Sequence, residues 1–210
     1  MRNNIIILLF LLSFFCDAYA NDQFTFDVSK IEISENGNKI IGTNRGLITS
    51  NNGIVIEADE FEYSKKNNLL KVSGNVIVNN PLKKYQIFSN KISYLKNEDI
   101  ISADNKIKFI DNNERIINSN NFLYNIGKNT FVARGNVKIY DLNKTLEINS
   151  EQIKYSKNDE KIISLGSTEA KLDKIYEFKS KRELTIDILR DEVHALEKDR
   201  KSTRLNSSHR

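Results

Sequence analysis

The stretch Ile56–Val78, IEADEFEYSKKNNLLKVSGNVIV, holds two short alternating runs joined by a polar turn. Sixty-one residues later Ile117–Ile139, INSNNFLYNIGKNTFVARGNVKI, repeats the pattern in the same register. Halfway between them stands a third copy, IFSNKISYLKNEDIISADNKIKF, from Ile87 to Phe109. A small residue before a polar step anchors each copy: Ala58-Asp59, Ser89-Asn90, Ser119-Asn120, Ser150-Glu151 and Ser180-Lys181, at intervals of 31, 30, 31 and 30 residues. Two residues before the anchors stand Ile56, Ile87, Ile117, Ile148 and Phe178. Three and five residues after the first four stand Phe61/Tyr63, Ile92/Tyr94, Phe122/Tyr124 and Ile153/Tyr155. Sixteen residues after come Gly74, Asn105, Gly135 and Gly166, followed by pairs such as Val76/Val78, Ile107/Phe109 and Val137/Ile139. A fixed period of this kind marks stacked supersecondary units whose terminal copies are atypical. The looser first copy, with Phe24, Phe26, Ile31 and Ile33, and the fading last one after Phe178 fit that description.

Each unit reads as two strands. Apolar residues alternate at Ile54/Ile56/Ala58 and again at Phe61/Tyr63, but the parity switches between the sets. A β-bulge at Asp59-Glu60 returns both sets to one face and bends the strand. The pairs Asn90-Lys91, Asn120-Asn121 and Glu151-Gln152 predict the same bend in the other copies. Turn signals separate the strands at Lys65–Asn68, Asn79-Asn80-Pro81, Asn97-Glu98, Asp111–Asn113, Ile126–Asn129 and Lys157–Glu160. Glycine in the second strand, as at Gly74 and Gly135, allows a second bend or a close backbone approach. No helical run is convincing before residue 185, and LRDEVHALEK suits a strand as well as a helical turn. The expected fold class is all-β: stacked antiparallel hairpins with a 30–31-residue repeat.

The chain ends are of another character. Residues 1–20, MRNNIIILLFLLSFFCDAYA, have a charged start, a short apolar run and the small-x-small close Ala18-Tyr19-Ala20, the pattern of a cleaved export signal. Residues 199–210 begin DRKSTRLNSSH and resemble the translation of a sequencing-library adapter, so residues 21–198 are read as the domain and the natural chain is expected to run on past Lys198. Of the formal charge of +4, Arg200, Lys201, Arg204 and Arg210 against Asp199 contribute +3, while Arg2 and Asp17 cancel. The basic balance therefore does not argue for a nucleic-acid partner. Cys16 is the chain's one cysteine, and an exported domain without disulfides is held by its sheet and core alone.

The recurring A-D-x-F-x-Y…G-N-V-x-V, complete from Ala58 to Val78, resembles the OstA-like module of the lipopolysaccharide transport proteins over about residues 24–190. Its members are the periplasmic bridge LptA, the inner-membrane LptC and the N-terminal domain of the outer-membrane LptD. The resemblance implies a β-jellyroll of two antiparallel sheets folded over an apolar trough that shields acyl chains. It places Ile56, Phe61, Val76, Ile87, Ile92, Ile107, Ile117, Phe122, Val137, Ile148 and Ile153 along the trough. Apolar alternation alone does not separate lipid-lining residues from core filling. Among the members, the cleavable signal, the long lead-in from Asn21 to Gly53, the extra copy from Phe178 and a frame open at Lys198 suit an LptD-type N-terminal domain before an LptA-type bridge protein. Lipopolysaccharide is then the expected ligand, an LptA-type bridge protein the expected partner at the edge strand Phe24, Phe26, Ile31 and Ile33, and an LptE-type lipoprotein a partner if an outer-membrane barrel follows. A protein of another class, a structural β-repeat scaffold or adhesin without lipid binding, shares the same pattern.

No cofactor, metal or catalytic group is expected. Asp59 and Glu151 stand where Asn90 and Asn120 serve equally, which reads as a backbone hydrogen-bonding device and not as a general acid or base.

Overall fold

Every long strand bends at its middle, and this shapes the molecule. The computed structural model describes residues 23–196 apart from 142, 144 and 174; the expected export signal and the adapter-like tail lie outside them. The strands are β1 (Phe24–Ser34), β2 (Lys39–Ser50), β3 (Val55–Ala58), β4 (Glu60–Ser64), β5 (Leu69–Asn80), β6 (Tyr85–Leu95), β7 (Ile100–Ile110) and β8 (Arg115–Asn125). They continue as β9 (Thr130–Asp141), β10 (Leu146–Ser156), β11 (Lys161–Leu172), β12 (Tyr176–Ser180), β13 (Glu183–Asp187) and β14 (Glu192–Leu196). All pairings are antiparallel between successive strands, with β3 and β4 forming one strand broken at Asp59. The result is an all-β jellyroll of stacked hairpins, as the repeat predicts.

The bends have two chemical causes. At the bend the second strand carries one residue more than the first, which corrects the bulge expected at the polar pair: Glu151 alone separates Ser150 from Gln152 on β10 where Gly166 and Ser167 face it on β11, and the two residues between Asn118 and Asn121 on β8 face three on β9. The anchoring serine closes the bulge, because its hydroxyl donates to the carbonyl two residues on: Ser89 to Lys91 at 3.2 Å, Ser119 to Asn121 at 3.0 Å, Ser150 to Gln152 at 3.1 Å. In the second strand, Gly74, Asn105, Gly135 and Gly166 take positive φ, a conformation open to glycine and tolerated by asparagine. A Cβ on Gly135 would lie 3.1 Å from the Asn120 amide, so the bulge side chain packs on the facing glycine. The expectation for Asp59 is corrected here. Its carboxylate accepts from the Arg45 and Asn75 side chains at 3.0 and 2.8 Å, and the backbone-bonding role falls to the serines.

The bulge returns both apolar sets to one face, since Ile56, Ala58, Phe61 and Tyr63 are all buried. Two local details differ from the sequence reading. Strand β5 runs on through Asn79 and Asn80, and the turn is Pro81–Lys84, because Asn80 Oδ1 accepts the Lys83 amide at 2.8 Å and so starts the turn later. In the last copy two residues, Lys181 and Arg182, interrupt the strand where other copies have one. That extra residue moves the buried parity to Leu184 and Ile186, which explains the loss of the aromatic pair from its usual offset.

Because the strands bend, their turns collect in two rows. One rim carries the turns after β2, β5, β7, β9 and β11. The other carries those after β1, β4, β6, β8, β10 and β13.

Candidate lipid-binding interior and its seam

The interior is built by the inward face of both halves. All eleven residues assigned to the trough lie there, between 0% and 4% exposed. Rings run through it: Phe109 and Phe122 meet Phe131 at 5.0 and 5.5 Å, and Phe131 meets Tyr155 at 5.0 Å. At the N-terminal end Phe24 packs edge-on to Tyr63 at 4.9 Å, and Phe26 stacks on Phe61 at 5.0 Å. The residues form one continuous apolar column, closed over itself by side chains.

The tyrosines of the four central copies follow a rule that the sequence reading missed. Each hydroxyl donates to the residue five positions on: Tyr63 to Asn68, Tyr94 to Asp99, Tyr124 to Asn129 and Tyr155 to Glu160, at 3.1, 3.1, 2.6 and 2.9 Å. Each acceptor residue has positive φ at the end of its turn. A buried phenol thus satisfies its polar tip at the rim while its ring faces the interior. The signal is legible as Tyr-x4-Asn/Asp/Glu in every copy.

The opposite rim has its own column. Ser50, Asn80, Asp111 and Asp141 are buried polar residues at intervals of 30 or 31, each opening a turn. Asp111 accepts the amides of Asn113 and Arg115 at 2.9 and 3.0 Å, and Asp141 that of Asn143 at 3.1 Å.

The two rims meet along a polar seam. Asn52 donates to the Tyr94 hydroxyl at 3.1 Å and lies 3.4 Å from Asp99. Lys83 donates to the Ile126 carbonyl at 2.5 Å, and Lys157 to Asn112 at 3.4 Å. Between them Arg115, 1% exposed, is held on its own rim by Asp141 at 2.7 Å and by Asp111 at 3.6 Å. It reaches across to Glu160 at 3.1 Å and to the Tyr155 hydroxyl, with its guanidinium 4.7 Å from the Tyr155 ring centre. Burial lowers the pKa of Lys157 in this seam. Arg115 also went unnoticed in the sequence, although it stands in the column of Ile54, Tyr85 and Leu146, all buried. A lone arginine in an apolar column was the available sign.

Burial pushes the phenols of Tyr85, Tyr94 and Tyr124 well above the usual tyrosine value. Below about pH 10 folded and unfolded chains both keep these protons; above it the unfolded chain releases them first, so stability falls as pH rises. The expected alkaline titration therefore shows a delayed step in tyrosinate absorbance that coincides with loss of the β-sheet circular dichroism. One smooth step near the ordinary value contradicts the burial.

The four residues assigned to a partner edge divide. Among the described residues strand β1 pairs with β2 alone. Phe24 and Phe26 turn inward, whereas Ile31 and Ile33 are 44% and 62% exposed. Gln23 accepts from Asn51 at 3.1 Å, so it prolongs the β1–β2 ladder and does not cover the outer edge itself. At the C-terminal end the split between β12 and β13 leaves a groove of about 510 Å³ lined by Thr168, Lys179, Arg182 and Leu196 among others.

Fold and interior together define a class: an antiparallel β-jellyroll with an apolar core column, rims joined by a polar seam and, among the described residues, end strands β1 and β14 that each pair on one side. No family model matches the chain, and no curated protein matches it. Among solved structures it is similar to LptH, the LptA homologous periplasmic component of the conserved lipopolysaccharide transport device from Pseudomonas aeruginosa. The identity is 16%, over 49% of this chain and 75% of that one, with a TM-score of 0.44. A likeness of that size does not extend to ligand or partner.

Proposed function

We propose that the chain is a periplasmic lipopolysaccharide-binding domain that carries acyl chains in its apolar interior toward the outer membrane. The observation that supports this most is the unbroken column from Ile56 to Ile153, contributed by every central copy and free of any charged group among the eleven residues named. A chain of roughly ten carbons exposed to water carries a cost of around 8 kcal/mol, at about 0.8 kcal/mol per CH₂. Apolar walls offset that without chemistry. A fluorescence titration tests the reading: lipopolysaccharide should displace the apolar probe N-phenyl-1-naphthylamine from the purified protein. No probe binding and no displacement by a folded protein would leave the closed scaffold as the answer.

Within that role the chain is the N-terminal domain of an LptD-type assembly protein, with an LptE-type lipoprotein as a further partner if an outer-membrane barrel follows. The genomic frame beyond Lys198 decides this. Several hundred further codons are expected, and a prompt stop turns the chain into an LptA-type bridge protein. The side of β1 that no described strand pairs supports docking of the bridge protein's terminal strand by β-augmentation, joining two troughs. Proline placed at Thr25 and at Ser29 in turn should in one case remove an outward amide, lose the partner and keep the melting temperature. Unchanged partner binding by both variants contradicts docking on this edge.

A further inference from the structure

Among the described residues no backbone hydrogen bond joins one rim to the other, whereas neighbouring turns of one rim are tied by backbone: Lys96 to Asn68, Ile126 to Asp99, Lys157 to Asn129 and Ile188 to Glu160, at 2.8 to 3.0 Å. The rim-to-rim contacts described above come from side chains, and each joins residues 40 to 47 apart. Opposite the seam lie the bends, where the chain itself is continuous and residues at positive φ supply the corner. A body hinged along one line by covalent backbone and closed along the other by side chains opens at the side chains.

We propose that this seam is the entrance through which acyl chains reach the interior, and that the bridge from Arg115 to Tyr155 and Glu160 is its latch. The inference rests on the lipid-binding reading for its ligand, but the latch is a property of the fold. Parting the rims exposes the apolar column to water, so the empty molecule stays shut. Acyl chains cover that surface only in the open form, and this difference in affinity is what shifts the population. Arg115 suits the role because Asp111 and Asp141 of its own rim hold it in place while its remaining donors cross the seam. The head group of the ligand, too polar for the column, stays outside at the seam.

The double variant Tyr155→Phe with Glu160→Gln tests this. It deletes the phenolic hydroxyl and the carboxylate charge across the seam, yet leaves the ring in the core and Arg115 paired with both aspartates. In a Cys16→Ser background, nitroxide labels on cysteines replacing the exposed Lys84 and Lys128 report the distance between rims. The parent should give one short distance and the variant an added longer population, with uptake of N-phenyl-1-naphthylamine about tenfold faster, the effect of losing one to two charge-assisted hydrogen bonds. Tyr155→Phe alone should shift both readouts the same way by less, and it serves if the double variant does not fold. Unchanged distances and uptake in folded variants overturn the latch and leave entry through the ends of the column. Rims that part in a variant, while neither parent nor variant binds lipopolysaccharide, uphold the latch and overturn only the choice of ligand.

Discussion

Arg115→Met is expected to lower the free energy of unfolding by about 3–5 kcal/mol, the range for removing one partner from a buried ion network. The loss is large because Asp111 and Asp141 are themselves buried and would lose the guanidinium that they share. Total stabilities of about 5–15 kcal/mol make this a major fraction. Adding Asp111→Asn and Asp141→Asn to the methionine variant should recover much of it, since the uncompensated charges are then gone. Urea denaturation reads both effects as a shifted midpoint with an unchanged slope. A change of under about 1 kcal/mol, the size of an exposed ion pair, would mean that the network is solvated.

Phe122→Asp has an effect of comparable size through a different cause. Phe122 touches Phe109, Tyr124 and Phe131, with ring centres 5.5 to 6.3 Å apart, and is almost fully enclosed. Truncating such a ring costs about 3–5 kcal/mol, and a carboxylate in its place adds a desolvation cost of several more. The variant is therefore expected to lose both its sigmoidal melt and its capture of lipopolysaccharide. Retained cooperative unfolding would show that water reaches this position.

The repeat carried most of the architecture because each copy obeys the same local rules. The anchor and the positive-φ residue sixteen positions after it mark the bends, and alternation groups Ile92 and Phe122 with the other apolar residues of one face, while their assignment to a trough came from the family resemblance. The seam was not legible in the same way. Its partners lie 40 to 47 residues apart, about one and a half copies, a spacing that no local pattern enforces. Arg115 and the tyrosine hydroxyls were nevertheless marked, the first by its apolar column and the second by the recurring acceptor five residues on. The last copy reads as a fading one because nothing in Ser180–Glu183 announces the second residue at the bend that moves its buried positions to Leu184 and Ile186. Turn chemistry delayed the end of β5 in a similar way: Asn80 reads as a turn residue, yet its side chain starts the turn from inside the strand.

The central claim is that acyl chains occupy the column, and a photo-activated side chain at Ile92 or Phe122 addresses it most directly. Both positions lie mid-column in adjacent copies, enclosed by protein when the rims are shut. With lipopolysaccharide present and the protein folded, a benzophenone side chain at either position should form a covalent adduct with lipid, and one at exposed Lys66, outside the column, should not. Adducts to protein alone at Ile92 and Phe122, in variants that melt cooperatively, would contradict the account and leave the column as a packed core.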